Sequence, residues 1–307
     1  MTKVLVATVK PFAAQAVEGI REVVEKTGYE LALLEKYADK SELLTAVADA
    51  DALIVRSDKI TPEVIAAAPK LKIIVRGGAG FDNIDLAAAT EAGIVVENTP
   101  GQNSDAVAEL AIGLMVFQAR NRYNGKAGRE LKGKTLGIHA FGNVGRRVAH
   151  IAQGFGMDVY AYDPFLTDEQ IEASGVKVCH SEEELYSTCQ YVSLHIPATP
   201  KTIGSINYEL LSKMPEGGIL VNTARKEVVD EIGVLKMFAE NELFQYISDI
   251  APDCKDELVQ LYPDRCFFTP KKMGAQTLEA NVNAGLAAAS QIVAFFEEGD
   301  TRFQVNR

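Results

Sequence analysis

A glycine-containing turn near the middle of the chain holds the residues with the most specific chemistry. An apolar run that begins at Thr135 leads into Ala-Phe-Gly-Asn-Val-Gly, which is the pattern Gly-x-Gly-x-x-Gly with alanine in the first place. In such turns one glycine lets the backbone approach a pyrophosphate, and the last lets the following helix pack against the strand. The turn predicts a dinucleotide site at Ala140, Gly142, Asn143, Val144 and Gly145. Because alanine carries a Cβ, we expect a slightly altered turn at Ala140.

An acidic residue strengthens this interpretation. Asp163 ends the next predicted strand, about 20 residues beyond the turn, where a carboxylate can accept hydrogen bonds from a ribose hydroxyl. The same charge repels a 2′-phosphate, so the sequence favours NAD over NADP. A tight turn and a strand-end aspartate could occur without a cofactor, but the order strand, turn, helix, strand and acid favours the cofactor.

A second group of reactive residues follows the apolar run Ile-Leu-Val, where the chain reads Asn222-Thr223-Ala224-Arg225. Oxidation of a 2-hydroxyacid needs a cation for the carboxylate, a base for the hydroxyl proton and a nicotinamide that accepts hydride. Ligands bind at the C-terminal ends of strands in open α/β sheets, so Arg225 could hold the carboxylate or the alkoxide. A surface ion pair is the alternative for this arginine.

Short apolar strands alternate with helical segments along the chain, which predicts a doubly wound α/β fold with parallel sheets. Two Ala-rich helices, 104–120 and 277–298, are long enough to cross between domains, and Gly299 is the expected stop of the second. The pattern Ser-x-x-Glu at 181–184 predicts a capping box. The predicted strands are 4–9, 30–35, 52–57, 72–78, 93–98, 135–142, 158–163, 176–179, 191–196, 218–224 and 246–250.

Composition limits the class of protein. The 307 residues are enough for two domains, and the net charge of -11 disfavours binding to nucleic acid or to an anionic membrane. No apolar run reaches the length of a membrane helix, and the N-terminal run is too short for a signal peptide. The four cysteines form no CxxC pair, and no metal site is predicted. We therefore expect a soluble, cytoplasmic protein.

Five segments resemble the D-2-hydroxyacid dehydrogenase family, in that family's order and over almost the whole chain. They are LKIIVRGGAGFDNIDL, ENTPGQNSDAVAELAIGLM, KGKTLGIHAFGNVGRRVA, YVSLHIPAT and ILVNTARKEVVDE. The resemblance implies a flavodoxin-like substrate domain at 1–98 plus 276–307, and a Rossmann-type NAD domain inserted at 99–275. It also implies a cleft site and a homodimer. Because the chain stops after its last helix, we expect no regulatory domain and no feedback by serine through one.

Within the family the resemblance is strongest to phosphoglycerate dehydrogenases. It implies a phosphate loop formed by Arg56, Ser57 and Lys59. It also implies that the backbone of Gly78 and Ala79 holds the substrate carboxylate, and that Asn103 contacts the substrate. A strand-end ion pair is the alternative for Arg56, and a helix cap is the alternative for Asn103.

The resemblance also adds cofactor contacts outside the glycine-containing turn. Asp249 is similar to the family's aspartate that contacts the nicotinamide carboxamide, with a buried helix cap as the alternative. The remaining contacts implied are His195, Pro197, Thr202, Thr223 and Ala224.

One segment departs from the family. Its general acid/base is usually a His followed by x-Gly and backed by a Glu, whereas this chain reads FFTPKKMGAQT. Alignment on the x-Gly places Lys272 at the histidine position, and alignment on Thr-Pro places Lys271 there. The position of the usual Glu falls on Cys254, with Asp253 beside it.

Two interpretations of this departure compete. The chain could be an inactive NADH-binding module, or a lysine could carry out the proton transfer. We favour the lysine for a physical reason. The pKa of a lysine, near 10.4, must be lowered by burial and by positive neighbours before the lysine can act as a base. Lys271 and Arg225 could provide the positive charge, whereas a Glu would raise the pKa. A lysine-containing subgroup of phosphoglycerate dehydrogenases resembles this chain, including KKMGAQT. The same chemistry on glyoxylate, hydroxypyruvate or another 2-oxoacid is a third possibility.

Overall fold

The computed structural model describes residues 1–306. The chain forms two units, one made of Met1–Asn103 with the chain from Ala275, and the other of Ser104–Gly274. Their length had suggested that the two long helices cross between domains. Each of them instead lies within a single unit. No helix among the described residues is long and apolar enough to cross a membrane.

The first unit contains a parallel sheet in the order β2-β1-β3-β4-β5, which is the flavodoxin-like order. Its strands are β1 (Lys3–Thr8), β2 (Glu30–Glu35), β3 (Ala52–Val55), β4 (Ile73–Arg76) and β5 (Val95–Asn98). Its helices are α1 (Ala14–Lys26), α2 (Lys40–Val47), α3 (Pro62–Ala66), α4 (Leu86–Glu91) and α12 (Leu278–Glu298).

Alternate residues of these strands face opposite sides of the sheet, and both sides are covered. Val4 and Val6 belong to the core beneath α1 and α12, whereas Leu5 and Ala7 belong to the core on the other side. This double coverage explains why the strands are near-continuous apolar runs.

The second unit contains a parallel sheet in the order β12-β11-β10-β9-β6-β7-β8. Its strands are β6 (Thr135–His139), β7 (Asp158–Tyr162), β8 (Lys177–Val178), β9 (Tyr191–Leu194), β10 (Ile219–Asn222), β11 (Gln245–Ser248) and β12 (Cys266–Phe268). Its helices are α5 (Ser104–Ala119), α6 (Asn143–Gly154), α7 (Asp168–Glu172), α8 (Glu182–Thr188), α9 (Tyr208–Leu211), α10 (Glu231–Glu240) and α11 (Lys255–Leu261), with short 3₁₀ helices at Asn121–Tyr123 and Lys226–Val228.

The strand order of the second unit reverses between β6 and β9, as in a Rossmann fold with one added strand. In open α/β sheets the crevice at such a reversal is where ligands bind. The predicted fold class, with two doubly wound parallel sheets of Rossmann and flavodoxin type, is therefore confirmed.

One strand was missed, and one local prediction was wrong. The strand β12 was not predicted, and the capping box at the start of α8 is incomplete. Ser181 accepts from the Glu184 amide, but the Glu184 carboxylate accepts from the His180 amide and not from Ser181. The helix therefore has a serine cap and a separate carboxylate contact one residue upstream.

Candidate active site

The glycine-containing turn joins β6 to α6. Ala140 follows the strand with φ of 77°, a left-handed conformation that costs an alanine about 1–2 kcal/mol. The expectation that Ala140 takes a conformation suited to a Cβ is therefore wrong. A Cβ on Gly145 would lie 2.4 Å from the Ala140 carbonyl oxygen, so the close approach of helix and turn requires glycine at position 145.

The start of α6 fits a phosphate. Gly142 is the N-cap residue, and no side chain caps this 12-residue helix. A Cβ on Gly142 would meet no atom within 4 Å, so the space in front of the turn is open. Helix N-terminal N–H groups that face open space attract anions.

Asp163 is fixed beside the turn. Its Oδ2 accepts from the Phe141 amide at 2.8 Å, and its Oδ1 accepts from the Phe165 amide at 2.9 Å. Each carboxylate oxygen can accept a further hydrogen bond. The position at the end of β7 is therefore compatible with the predicted ribose contact.

His195 follows β9 on the other side of the strand reversal, and its amide donates to the His139 carbonyl at 2.9 Å. Its Nε2 is buried without a hydrogen-bond partner among the described residues, as is the Thr223 hydroxyl. Burial, helped by His139, lowers the pKa of His195 to about 3. The ring is neutral at physiological pH and suits a cofactor contact better than proton transfer. Unsatisfied buried polar atoms at this edge fit a polar ligand.

The predicted loop after His195 is held by its own hydroxyl groups. The Thr202 hydroxyl lies 2.5 Å from the Pro197 carbonyl oxygen and accepts from the Thr199 amide at 2.8 Å. Pro197 is exposed. Thr202 therefore shapes the loop that would carry the predicted contact.

Arg225 lies on the turn after β10, which Asn222 shapes. The Asn222 side chain donates to the Arg225 carbonyl and accepts from the Ala224 amide, both at 2.9 Å. The guanidinium of Arg225 donates to the Ala224 carbonyl at 2.9 Å. It forms no ion pair with any residue of Ser104–Gly274, the unit to which it belongs. The alternative of a surface ion pair is not found. The role of Asn222 was missed, although its place at the end of a strand was a usable signal.

Lys271 and Lys272 are both exposed, on the loop that follows β12. The next two amides, of Met273 and Gly274, donate to the carboxylate of Asp249, which is only 1% exposed. Since β10, β11 and β12 are neighbours in the sheet, this loop and the turn of Arg225 lie along one edge.

The position of the family's usual glutamate is occupied differently. The Asp253 carboxylate forms an exposed ion pair with Lys226. The amides of Asp253 and Cys254 both donate to the Glu231 carboxylate at 2.7 Å. Burial, with Glu231 nearby, raises the pKa of the Cys254 thiol to about 12. Glu231, which sequence reasoning missed, thus fastens this loop to the start of α10.

In the first unit, two arginines lie at the ends of neighbouring strands β3 and β4. The Arg56 guanidinium donates to the carbonyls of Lys10 and Pro11, and burial lowers its pKa from the ordinary value. Arg76 donates from Nε to the Arg56 carbonyl at 3.0 Å. Arg76 was not predicted as a site residue, although its place at a strand end was a usable signal.

The predicted carboxylate-binding backbone lies beside Arg76. Gly78 has φ of 147°, and its amide donates to the Arg76 carbonyl at 2.8 Å. A Cβ on Gly78 would lie 1.4 Å from Arg76 Nη1, so a larger residue would displace the Arg76 guanidinium and be strained at this φ. The Ala79 carbonyl accepts from the Asn98 side chain at 2.6 Å.

The remaining predicted substrate residues are accessible. Ser57 and Lys59 are exposed on either side of Asp58, which is buried and accepts from the Val9 amide and the Tyr37 hydroxyl. Asn103 is partly exposed, immediately before α5. Each unit therefore carries its own group of predicted site residues.

Comparison with known proteins identifies the family. Residues 110–270 match "D-isomer specific 2-hydroxyacid dehydrogenase, NAD binding domain", within the second unit. The D-3-phosphoglycerate dehydrogenase of Methanocaldococcus jannaschii is 38% identical over 95% of this chain and 57% of its own length. The hydroxypyruvate reductase of Thermotoga maritima is 36% identical over 86% of this chain and 90% of its own length. The chain thus spans little more than half of the archaeal relative.

A solved structure agrees with this. The 3-phosphoglycerate dehydrogenase of Entamoeba histolytica with bound NAD⁺ has a TM-score of 0.89 and 51% identity, and the match covers 100% of this chain and 99% of that chain. The predicted resemblance is confirmed, whereas its lysine-containing subgroup stays a prediction. The chain belongs to the D-isomer specific 2-hydroxyacid dehydrogenases, and residues 110–270 are its NAD-binding domain.

Proposed function

We propose that this chain is an NAD-dependent dehydrogenase that oxidises D-3-phosphoglycerate to 3-phosphohydroxypyruvate, a reaction of serine biosynthesis, with a lysine as the acid/base. The proposal depends most on the position of Arg225. This arginine forms no ion pair within its unit and lies on the same sheet edge as the loop of Lys271 and Lys272. Its support is the naming of several relatives as D-3-phosphoglycerate dehydrogenases. We also propose a cytoplasmic homodimer.

The proposed mechanism divides the work among the chain's own residues. Bound NAD⁺ supplies the hydride acceptor, held by the turn at Gly142 and by Asp163. Arg225 holds the carboxylate and the C2 oxygen, and neutral Lys272 takes the hydroxyl proton. Its ammonium form returns the proton in the reverse reaction. Because Lys272 is exposed, the proposal relies on the positive charge of Arg225 and Lys271 to favour the neutral form.

The first unit supplies the phosphate contacts in this proposal. Arg56, Ser57 and Lys59 hold the phosphate, and the backbone at Ala79 adds to the carboxylate contacts. The Gly78 amide already has an acceptor, so Ala79 is the better candidate of the pair.

The test is NADH oxidation at 340 nm with 3-phosphohydroxypyruvate. We expect turnover by the wild-type chain and a drop in kcat of about 100-fold or more for Lys272→Ala, since a positioned acid/base contributes about 10²–10⁴. NADH affinity, measured by fluorescence, should stay unchanged because the lysine does not bind the dinucleotide.

Lys271→Ala is the matched control, because it removes an identical side chain from the adjacent position. A larger loss for Lys271→Ala would assign the acid/base to that residue. Full turnover in both variants would remove lysine from the mechanism. An inert wild-type chain that still binds NADH would support a non-catalytic regulator.

Hydroxypyruvate or glyoxylate reduction is the second candidate. It is favoured by the Thermotoga relative, since the match covers 90% of that protein. The two candidates differ in the need for a phosphate site in the first unit.

A further inference from the structure

The buried carboxylate of Asp249 holds the loop that carries the two lysines. Asp249 follows β11, and its Oδ1 accepts from the Met273 amide at 2.9 Å. Its Oδ2 accepts from the Gly274 amide at 2.8 Å. Two consecutive backbone N–H groups thus point at one carboxylate, which is how proteins stabilise a buried negative charge.

Thr269, which follows β12 and is 4% exposed, completes this arrangement. Its hydroxyl lies 2.7 Å from the Asp249 carbonyl oxygen, 3.0 Å from Asp249 Oδ1 and 2.9 Å from the Lys271 carbonyl oxygen. A hydroxyl has one proton and donates to one of these at a time. Its place within reach of all three shows that the end of β11 lies beside the peptide that precedes Lys272.

Both residues next to Lys272 make backbone contacts with this arrangement. The carbonyl of the preceding residue is within reach of Thr269, and the amide of the following residue donates to Asp249. The backbone on both sides of Lys272 is therefore in contact with Thr269 or Asp249, although the Lys272 side chain is exposed.

Gly274 explains the spacing Lys-x-Gly. A Cβ on Gly274 would lie 3.0 Å from Asp249 Oδ2 and 3.3 Å from Val107 Cγ2. A side chain here would press on the carboxylate and on Val107, so glycine allows the amide to lie close to Asp249 without displacing either.

We infer that Asp249 and Thr269 are positioning residues that place Lys272, and not Lys271, for proton transfer; this inference rests on the proposed function. The predicted contact of Asp249 with the nicotinamide carboxamide is a separate role. Asp249 Oδ2 has one further lone pair for it.

Thr269→Val is the sharpest variant, because it removes only the hydroxyl and keeps the shape of the side chain and the charge of Asp249. We expect kcat to fall about 10- to 100-fold, since small misplacements of a catalytic group have effects of this size. KM and NADH affinity should change little. Thr269→Ser keeps the hydroxyl and is the matched control, with kcat close to the wild-type value.

A double variant separates positioning from a general structural effect. In the Lys272→Ala background, Thr269→Val should cause no further loss, because a residue that acts through Lys272 has nothing left to place. Gly274→Ala gives a further variant that disturbs the loop while keeping the Asp249 charge.

The outcomes distinguish the two proposals. If Lys272→Ala keeps full activity, the proposed lysine mechanism fails. If Lys272→Ala loses activity but Thr269→Val keeps it, or if the losses from the two substitutions multiply in the double variant, the positioning role is wrong and the lysine mechanism stands.

Discussion

Arg56 is held more firmly than a surface arginine. Its Nη1 donates to two carbonyls, and its guanidinium lies 5.0 Å from the centre of the Phe12 ring. Burial lowers its pKa, but an arginine stays charged at physiological pH. A cation with a fixed orientation has lost much of its side-chain freedom already, so it can bind a phosphate at a smaller entropic cost.

Arg56→Ala should therefore raise KM for 3-phosphohydroxypyruvate about 10- to 100-fold, since a hydrogen bond to a charged group contributes about 1.5–3 kcal/mol. The KM for hydroxypyruvate, which has no phosphate, should change much less. Steady-state kinetics with both substrates checks this. A parallel rise for both would show a general effect, and a melting temperature would reveal loss of packing on Phe12.

At the scale of elements, the turn between β6 and α6 depends on two glycines for different reasons. Gly145 lies against the turn, where a Cβ would be 2.4 Å from the Ala140 carbonyl oxygen and 2.9 Å from Ile138 Cγ2. Gly142 has φ of -78°, and a Cβ there would face open space. Gly145 is needed for packing, whereas Gly142 is predicted to leave room for a pyrophosphate.

Gly145→Ala should lower the melting temperature by several degrees and weaken NADH binding, because helix and turn must separate. Gly142→Ala should leave the melting temperature nearly unchanged and still weaken NADH binding by about 10-fold or more, which corresponds to about 1.4 kcal/mol. Thermal unfolding and fluorescence titration on both variants test this. Normal NADH binding by Gly142→Ala would place the pyrophosphate elsewhere.

The elements that were predicted are those with strong local patterns. The buried strands of both sheets are continuous apolar runs, and the glycine-containing turn marks the start of α6. The strand β12 is apolar, but its three residues, CFF, are too short a run to predict a strand. The contacts of Asp249 with residues 269–274 were not predictable, because they join segments that only the sheet brings together. The positive φ of Ala140 was not predictable either, because it runs against the local preference of alanine.

The acidic residues that give the chain its net charge of -11 are not all on the surface. Glu97, on β5, is 1% exposed. The segment around Gln304 forms a bridge with it, and Asn306 accepts from the Val96 amide and donates to the Ile94 carbonyl, both at 2.8 Å. The chain beyond α12 therefore covers the edge of the first sheet and encloses a carboxyl group.

This enclosure makes stability depend on pH. Burial, and next the charge of Asp300, raise the pKa of Glu97 to about 7 from an ordinary value of 4.5. The folded state therefore holds a proton that the unfolded state has lost between these values, so the free energy of unfolding falls as pH rises from about 4.5 to 7. Above pH 7 the penalty is constant.

Glu97→Gln removes the ionisation while keeping the shape of the side chain. The melting temperature of the variant should exceed that of the wild-type chain by an amount that grows as pH rises through this range. The difference should be zero near pH 4.5 and should reach its full size above pH 7. Thermal unfolding at a series of pH values measures the difference, with Glu91→Gln as the control, since Glu91 is an exposed residue of the same unit. A difference that does not vary with pH would mean that Glu97 ionises equally easily in the folded chain and that the segment covering β5 does not exclude water from it.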